Sequence, residues 1–377
     1  DPIEATGHWQ RAEASGRGFL FQSYAWGSIW LETIGRVLKA EPCLVRLIHS
    51  GGELFLPMAI ETKGFGVRRL GFLGSRLSDH AGPIIVGDIG VFASSLLPEL
   101  ARRLAAQARV DVIDWHHLMS PIADDLNPLI TSRSLRASYL SHRLDIEGSW
   151  SSFTRDQLST SHLAGSRRRW RRLCAQGDAR FVIATDPSEA LTILEVTMRH
   201  KAERYRATGR ANLFEIEAYA DFYREMTTRH LRSGLVHVAA LMLDDEVIAS
   251  HWGCVYRKRF FWLMPSYDAA WSKVSPGRLL LDHLVEWSFA AGLEAFDFTI
   301  GDEPYKSTYA NRHDPLYRSL YPRTARGLAY ALKDRLKWPP IAKQPSMTKT
   351  SSLLSRWWVA IKPERKSGRI DRTGTSS

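Results

Sequence analysis

Short blocks of apolar residues, separated by turn residues, run through the first third of the chain and predict an α/β unit over residues 18–145. Trp26 and Trp30 are spaced by four inside a helix expected over residues 21–34. The glycine pair Gly51-Gly52 marks a turn between two predicted strands. The expected strands are 44–48, 54–60, 67–73, 82–86 and 110–118, with a further helix over 92–106.

A second unit of similar style is predicted over residues 146–337. Its pattern gives helices at 150–175, 187–206 and 215–232, a short strand at 181–184, and a strand meander at 236–243, 247–256 and 259–264. A loop of about ten residues then leads to a helix over 276–291, which Gly292 ends as a C′ glycine. A strand follows over 294–300. We therefore predict an α+β fold in which a mixed sheet is flanked by helices.

Composition adds a third segment. The chain has 377 residues, 44% of them hydrophobic, which fits two globular domains rather than one small domain or a disordered chain. The net charge is +11, and residues 338–377 hold eight Lys or Arg against two acids. We interpret residues 338–377 as a flexible basic tail.

The tail carries its own candidate interaction. Within residues 353–366, leucines and tryptophans alternate with Lys and Arg, a pattern typical of peripheral membrane contact. The alternative is a disordered tail that docks transiently on the body. No stretch approaches the ~20 apolar residues of a membrane-spanning helix, and no signal peptide is recognised. We expect a cytoplasmic protein that contacts at most the inner face of the membrane.

The remaining composition argues against two other classes of site. Cys43, Cys174 and Cys254 are far apart, and the histidines lack ligand spacing, so no metal site is expected. The arginine run at residues 167–172 is interpreted as a solvated basic helix, with contact to a polyanion as the alternative. No nucleic-acid partner is expected.

The start of the helix predicted at residue 276 is a candidate anion site. Ser275 suits an N-cap and Pro276 the first helical position, while Gly277 leaves room for a ligand to approach the backbone. The unpaired first amides and the helix dipole favour a pyrophosphate, and Arg278 adds a charged donor. An ordinary capped helix is the alternative.

Three stretches carry a resemblance to a known family. They are Met264-Pro265-Ser266-Tyr267-Asp268, then Ser275-Pro276-Gly277-Arg278-Leu279-Leu280, then Phe296-Asp297-Phe298 followed by Gly301-Asp302-Glu303-Pro304-Tyr305-Lys306. Together they resemble the CelD-like acetyltransferases, a branch of the FemAB-like superfamily of Gcn5-related (GNAT) folds linked to bacterial cellulose or exopolysaccharide production. The resemblance implies two tandem GNAT-like folds, the second binding acetyl-CoA or another acyl-CoA through residues 275–280.

Several side chains are candidates for the chemistry of acyl transfer, which needs a base and an oxyanion donor. Glu303 and Asp302 follow a predicted strand end, and paired carboxylates are expected to raise one another's pKa. The alternatives for both are a substrate contact, or a loop acid that caps the next helix or pairs with Lys306. His251 is the second candidate base, with a half-buried structural histidine as the alternative. Tyr305 is a candidate proton donor. Tyr267, Asp268 and Lys306 are candidate substrate contacts. The alternatives are an aromatic core or rim role for Tyr267 and a surface ion pair for Lys306.

The sequence thus predicts an acyltransferase that uses acyl-CoA and acts on an amino group or hydroxyl of an exopolysaccharide precursor. One alternative is a FemAB-type ligase of cell-wall peptides that depends on aminoacyl-tRNA. Another is a non-catalytic effector of polysaccharide production that binds a ligand.

Overall fold

The fold is built on one large mixed β-sheet. The computed structural model describes residues 2–49, 51–89, 97–335 and 358–360. Its strands are β1 Glu41–His49, β2 Gly51–Lys63, β3 Val67–Phe72, β4 Ile84–Asp88, β5 Val112–Met119, β6 Leu135–Asp145, β7 Ala179–Ile183, β8 Val236–Leu243, β9 Glu246–Tyr256, β10 Arg259–Tyr267, β11 Ala295–Ile300, β12 Arg312–Pro322 and β13 Trp358–Ala360. Its helices are α1 Pro2–Ser15, α2 Tyr24–Trp30, α3 Leu97–Gln107, α4 Trp150–Asp156, α5 Thr160–Cys174, α6 Pro187–Ala207, α7 Glu217–His230, α8 Pro276–Ala290 and α9 Ala325–Arg335.

Two similar arrangements of strands lie within this sheet. The strand order is β13-β1-β2-β3-β5-β12-β6-β11-β10-β9-β8-β7, with β4 paired to β2. In the first half, β1, β2 and β3 form an antiparallel meander, and β3 then pairs in parallel with β5. In the second half, β8, β9 and β10 form the meander, and β10 pairs in parallel with β11. The predicted α+β class, with a mixed sheet flanked by helices, is confirmed.

Strand β12 joins the two halves. It lies between β5 and β6 and is antiparallel to both, although it follows the second half along the chain. Strand β6 in turn pairs with β11. The boundary predicted after residue 145 therefore falls at the end of β6, a strand whose two partners, β11 and β12, both follow that boundary along the chain, and it stays a prediction.

Aromatic side chains fill a core shared by helices and strands of both halves. Trp26 of α2 is buried, and its ring lies 4.9 Å from that of Phe222 in α7 and 6.4 Å from that of Trp252 in β9. Trp30 is also fully buried, as the four-residue spacing predicted. Burial of these large rings supplies much of the apolar contact between α2, α7 and the sheet.

Most predicted elements are found, with a few differences at their ends. The predicted helix over 150–175 is two helices, α4 and α5, because the chain leaves the helical conformation at Ser159, whose side chain caps α5. Strand β10 extends to Tyr267, and the predicted loop is mostly a 3₁₀ turn at Ala269–Val274. Helices α1 and α9 and strands β6 and β12 were not predicted. The predicted tail lies outside the described residues, except for β13.

In the part of the chain that the structure describes, no helix combines the length and the apolar content required to cross a bilayer.

A buried ionic network crosses the first half beneath α9. Asp114 of β5 accepts two hydrogen bonds from Arg318 of β12, at 2.7 and 2.8 Å, and one from the hydroxyl of Tyr330 in α9 at 2.8 Å. Arg69 of β3 lies 3.4 Å from the same carboxylate and also pairs with Glu61 of β2 at 2.7 Å. Burial alone would raise the pKa of Asp114, but the Arg318 hydrogen bonds and both guanidinium charges hold it well below its ordinary value.

Replacing Asp114 by Asn leaves two buried guanidinium groups without their shared countercharge. We expect Asp114→Asn to lower the free energy of unfolding by about 3–5 kcal/mol at neutral pH. Because the folded-state pKa is depressed, the wild-type advantage is present above about pH 4 and is lost as the pH falls. Urea denaturation at pH 7 and at pH 3 measures both effects.

Asp156 provides the matched control because it pairs with Arg155 on the exposed face of α4. Asp156→Asn is expected to leave the urea midpoint close to that of the wild type, because an exposed ion pair is screened by solvent. Equal losses in the two variants would contradict a structural role for the buried network.

Candidate active site

An opening between β10 and β11 is the main feature of the second half. The two strands pair in parallel over only three residues, from Arg259 with Ala295 to Phe261 with Asp297. Beyond them β10 runs on to Tyr267, and a β-bulge between Phe261 and Met264 bends it. The strands therefore separate towards their carboxyl ends, which is where open sheets of this kind bind ligands.

The bulge is held in place by His251 of β9. The Nε2 atom of His251 accepts a hydrogen bond from the Leu263 amide at 3.1 Å, and the imidazole stacks on Trp262 with ring centroids 4.3 Å apart. His251 is fully buried, and this burial lowers its pKa well below the ordinary histidine value. The ring is therefore neutral, and the lone pair that a base would use already holds the backbone.

Helix α8 begins beside the opening. Ser275 occupies the N-cap and Pro276 the first helical position, as predicted, but Ser275 has φ 49° and ψ 57° and its side chain makes no capping bond. The Arg278 and Leu279 amides donate to the Ser275 carbonyl at 3.0 and 3.3 Å. Pro276 has no amide hydrogen, so Gly277 supplies the first amide of the helix.

The other residues near the start of α8 that were predicted to contact a ligand have different surroundings. Leu279 and Leu280 are buried in the core of the second half, so their side chains are turned away from solvent. A Cβ atom on Gly277 would lie 3.3 Å from Cδ1 of Tyr267, so the glycine makes room for that ring. Asp268 accepts a hydrogen bond from the Ala270 amide at 2.9 Å and caps the 3₁₀ turn.

Positive charge gathers where α5 packs against the start of α8. Arg278 donates to Nδ1 of His162 at 2.7 Å, and Nε2 of His162 bonds to Asp282 at 3.0 Å. Arg169 is half-buried beside them, and burial together with the charge of Arg278 lowers its pKa. Two guanidinium groups thus lie within electrostatic reach of each other near the start of α8, an arrangement that favours anions. The interpretation of residues 167–172 as a solvated helix missed Arg169.

The loop after β11 carries both predicted carboxylates. Asp302 accepts hydrogen bonds from the Leu140 amide at 3.2 Å and from Nε2 of His142 at 2.9 Å, and these lower its pKa. Burial raises the pKa of Glu303, but the ion pair with Lys306, at 2.9 Å, outweighs it, and the net shift is downward. The expectation that the two acids raise one another's pKa is wrong, because each has its own cationic or hydrogen-bonding partner.

Lys306 is buried beneath this loop and stabilises it. Its Nζ donates to the Ile300 carbonyl at 2.6 Å as well as pairing with Glu303, and the side chain is 3% exposed. The ammonium group is therefore engaged by the protein itself.

Tyr305 bridges the two sides of the opening. Its hydroxyl oxygen accepts a hydrogen bond from Nε1 of Trp262, on the bulge, at 3.1 Å. Burial raises the pKa of Tyr305 to about 12, so the phenol keeps its proton at neutral pH. Since the oxygen acts as the acceptor towards Trp262, its hydrogen is available to a ligand.

Tyr267 and Lys201 border the same opening. The guanidinium of Arg204 lies 5.5 Å from the centre of the Tyr267 ring. Lys201 of α6 donates to the Pro265 carbonyl at 3.3 Å, and burial lowers its pKa to about 8. The charge of Glu303 acts in the opposite direction on Lys201, so the two groups lie within electrostatic reach of each other.

Two histidines that sequence reasoning missed extend from Asp302 to the surface. His142 of β6 bonds to Asp302 through Nε2 and to Nδ1 of His313, on β12, through Nδ1 at 2.8 Å. His142 is buried, whereas His313 is exposed. No sequence pattern links residues 142, 302 and 313, because only the pairing of β6 with β11 and β12 brings them together. Among the described residues, no cluster of His, Cys, Asp and Glu is arranged to hold a metal ion.

Comparisons with known proteins found one family model and several solved structures that are similar to this chain. Residues 160–307 match the family described as an acetyltransferase (GNAT) domain. The crystal structure of FemX has a TM-score of 0.55 at 9% identity, covering 87% of this chain and 98% of that one. The C-terminal domain of a putative lysylphosphatidylglycerol synthetase from Agrobacterium fabrum has a TM-score of 0.49 at 14% identity, covering 89% and 96%. A tandem GNAT protein from the clavulanic acid biosynthesis pathway has a TM-score of 0.44 at 11% identity, covering 86% and 97%.

No curated protein matches the chain. The likeness to FemX concerns the fold alone. The opening between β10 and β11, the start of α8 and the loop after β11 all lie within the matched region, and residues 160–307 have a GNAT-type fold.

Proposed function

We propose that this protein is an acyl-CoA-dependent acyltransferase and that the reaction takes place between β10 and β11. The observation that carries the proposal is the short parallel pairing of these strands, which leaves the edge of β10 beyond Phe261 without a strand partner on its β11 side, beside the N-terminus of α8. An extended pantetheine arm needs unpaired strand backbone, and a pyrophosphate needs a positive helix start. Both are supplied within one strand–helix connection.

The residues at the start of α8 fit an anionic cosubstrate. The Gly277 amide and the guanidinium groups of Arg278 and Arg169 provide donors and positive charge. Acetyl-CoA is the cosubstrate we propose, because the matched family is described as acetyltransferases.

The loop after β11 supplies the groups that acyl transfer requires. An amine or hydroxyl attacks the thioester carbon, a C–N or C–O bond forms, and the C–S bond breaks. We assign Glu303 as the group that accepts the proton of the nucleophile, since its lowered pKa keeps it ionised at neutral pH. Tyr305 is protonated at neutral pH and its hydroxyl hydrogen is not used by Trp262, so we assign it as the group that donates to the departing sulfur, which takes up the proton as the C–S bond breaks.

The acceptor that we propose is a sugar or amino sugar of an exopolysaccharide precursor. The resemblance of residues 264–306 to CelD-like enzymes supports this choice. Next to Leu140, which bonds to Asp302, Tyr139 shares a hydrogen bond of 2.9 Å with Nε2 of His117. Aromatic and polar side chains of this kind suit a carbohydrate, which offers both an apolar face and hydroxyl groups.

A FemAB-type aminoacyl-tRNA-dependent ligase is the second candidate, favoured by the fold likeness to FemX. A non-catalytic effector is the third, and it is favoured only if the protein binds acyl-CoA without turnover. Both alternatives are separated from an acyltransferase by assaying the purified protein with acetyl-CoA and with charged tRNA.

One test of this proposal concerns cosubstrate binding. A side chain on Gly277 must displace the Tyr267 ring, and it also crowds the first amide of α8. We expect Gly277→Val to weaken acetyl-CoA binding more than about tenfold, roughly 1.4 kcal/mol. Gly277→Ala is the graded control and should lose less. Unchanged affinity in a folded Gly277→Val protein, measured by calorimetry, would move the site elsewhere.

A second test concerns the base. Glu303→Gln keeps the shape of the side chain and removes the basic oxygen, so we expect kcat to fall by about 10²–10⁴ while acetyl-CoA affinity is kept. With Glu303 as base and its pKa lowered, kcat should stay level from pH 7 down to about pH 5.

His313→Ala serves as the comparison for this base assignment, because His313 is the exposed end of the Asp302–His142 chain. We expect it to keep most of the activity. Loss of kcat in His313→Ala but not in Glu303→Gln would assign the base to the histidine.

A further inference from the structure

One end of the first half combines exposed apolar residues with a cluster of cations. At the turn between β2 and β3, Phe65 is 98% exposed, and just before β1 Val37 and Leu38 are 56% and 38% exposed. The cations at this end are Lys39, Lys63, Arg68, Arg109, Arg323 and Arg326. We call this region, Val37, Leu38, Phe65 and these six cations, the hairpin-tip surface.

The side chain of Phe65 does not pack against the rest of the protein, so packing does not explain an aromatic residue at this position. It lies between Gly64 and Gly66 with φ 60° and ψ 25°, a left-handed conformation in which a bulky side chain is uncommon. A Cβ atom built on Gly64 would meet nothing within 4 Å. The aromatic ring therefore projects into open solvent from a turn where Gly or Asn would be the ordinary choice.

The strand register brings the other residues to the same end. Glu41 at the start of β1 is opposite Ile60 of β2, near the tip of the hairpin. Val112 at the start of β5 is opposite both Arg69 of β3 and Pro322 at the end of β12. The segments before β1 and β5 and after β12 consequently meet beside the hairpin.

Side-chain contacts confirm that the segments touch. Arg68 pairs with Glu41 at 2.8 Å and donates to the carbonyl of Arg109 at 3.2 Å. A Cβ atom on Gly66 would lie 3.8 Å from a guanidinium nitrogen of Arg326. The basic residues thus surround the hairpin that carries Phe65.

The charge of this surface is positive. Three carboxylates lie among the six cations, and of these Glu61 and Asp111 are buried, at 2% and 4% exposure. Glu61 pairs with both Lys63 and the buried Arg69, and Asp111 is held by the Arg68 amide and the Thr324 hydroxyl and lies 3.6 Å from Arg326, so these two acids offset part of the positive charge. Glu41 is therefore the exposed acid among the described residues of the hairpin-tip surface.

We propose that the hairpin-tip surface docks on an anionic lipid membrane. A fully exposed aromatic ring with neighbouring aliphatic side chains inserts at the level of the headgroups, while surrounding Lys and Arg meet anionic lipid. We choose a lipid membrane over a nucleic acid because of Val37 and Leu38. Their exposed aliphatic side chains make no favourable contact with a nucleic acid, but they suit the boundary between lipid headgroups and acyl chains.

Docking at this end leaves the candidate active site free. On β12, Asp314 lies opposite Ser141, beside the loop after β11, while Pro322 lies at the hairpin-tip end. Eight residues of strand separate them, about 26 Å at ~3.3 Å per residue. The surface is therefore distinct from the opening between β10 and β11, and the proposal does not depend on the acyltransferase activity.

The test is binding of the full-length chain to vesicles of phosphatidylcholine containing about one third phosphatidylserine, against phosphatidylcholine alone, at low and physiological salt. The variants are Phe65→Asn and the pair Lys39→Asn with Arg109→Asn. Asn accommodates the positive φ of all three positions. Leu126→Asn is the matched control, because Leu126 is 68% exposed and follows the opposite end of β5.

We expect the wild type and Leu126→Asn to bind the anionic vesicles alike and more tightly than the neutral ones. Phe65→Asn should bind at least tenfold more weakly, and the double variant should bind more weakly with a shallower salt dependence. The proposal is overturned if wild type ignores anionic vesicles at low salt. It is also overturned if both variants bind as wild type does, which would assign binding to residues 353–366, or if Phe65 is needed for binding an RNA but not vesicles.

Discussion

The separation of β10 from β11 is the constraint on which the rest of the second half depends. Two parallel strands that stayed paired to their ends would bury the backbone that a ligand needs. The bulge at Phe261–Met264 prevents this, and His251 stabilises the bulge by accepting the Leu263 amide. Trp262, displaced by the same bulge, reaches Tyr305 across the opening. The bulge in β10 therefore sets the position of the β10 backbone, of Tyr305 as the proton donor, and of the opening between them.

Much of this half was predictable because its signals are local. The meander, the Pro276 helix start and the strand before Gly301 follow from periodicity and turn chemistry within a few residues. Tyr305 was predictable as a site residue for the same reason, because it lies in the loop that directly follows a predicted strand. Strands β6 and β12 were missed because their pairing partners are remote in sequence, and polar residues such as His142, Arg143 and Asp314 interrupt their apolar pattern.

The roles of individual side chains were harder to predict because they depend on contacts across the fold. His251 was a plausible base in the sequence, yet its burial and its bond to Leu263 give it a structural task. The pKa of Asp302 is set by His142, 160 residues away in the chain. Lys306 follows Glu303 by three residues, so their pairing was open to prediction, as the ion-pair alternative shows.

The account is tested most directly by amide hydrogen exchange with and without acetyl-CoA. If the opening between β10 and β11 is the binding site, the amides within residues 262–267, except at Pro265, which has none, and the amide of Gly277 should become protected, since these segments border the opening. Residues of the equivalent parallel pair in the first half, β3 and β5, should exchange at the same rate in both conditions. Protection confined to β3 and β5, with none at residues 262–267 and Gly277, would contradict it.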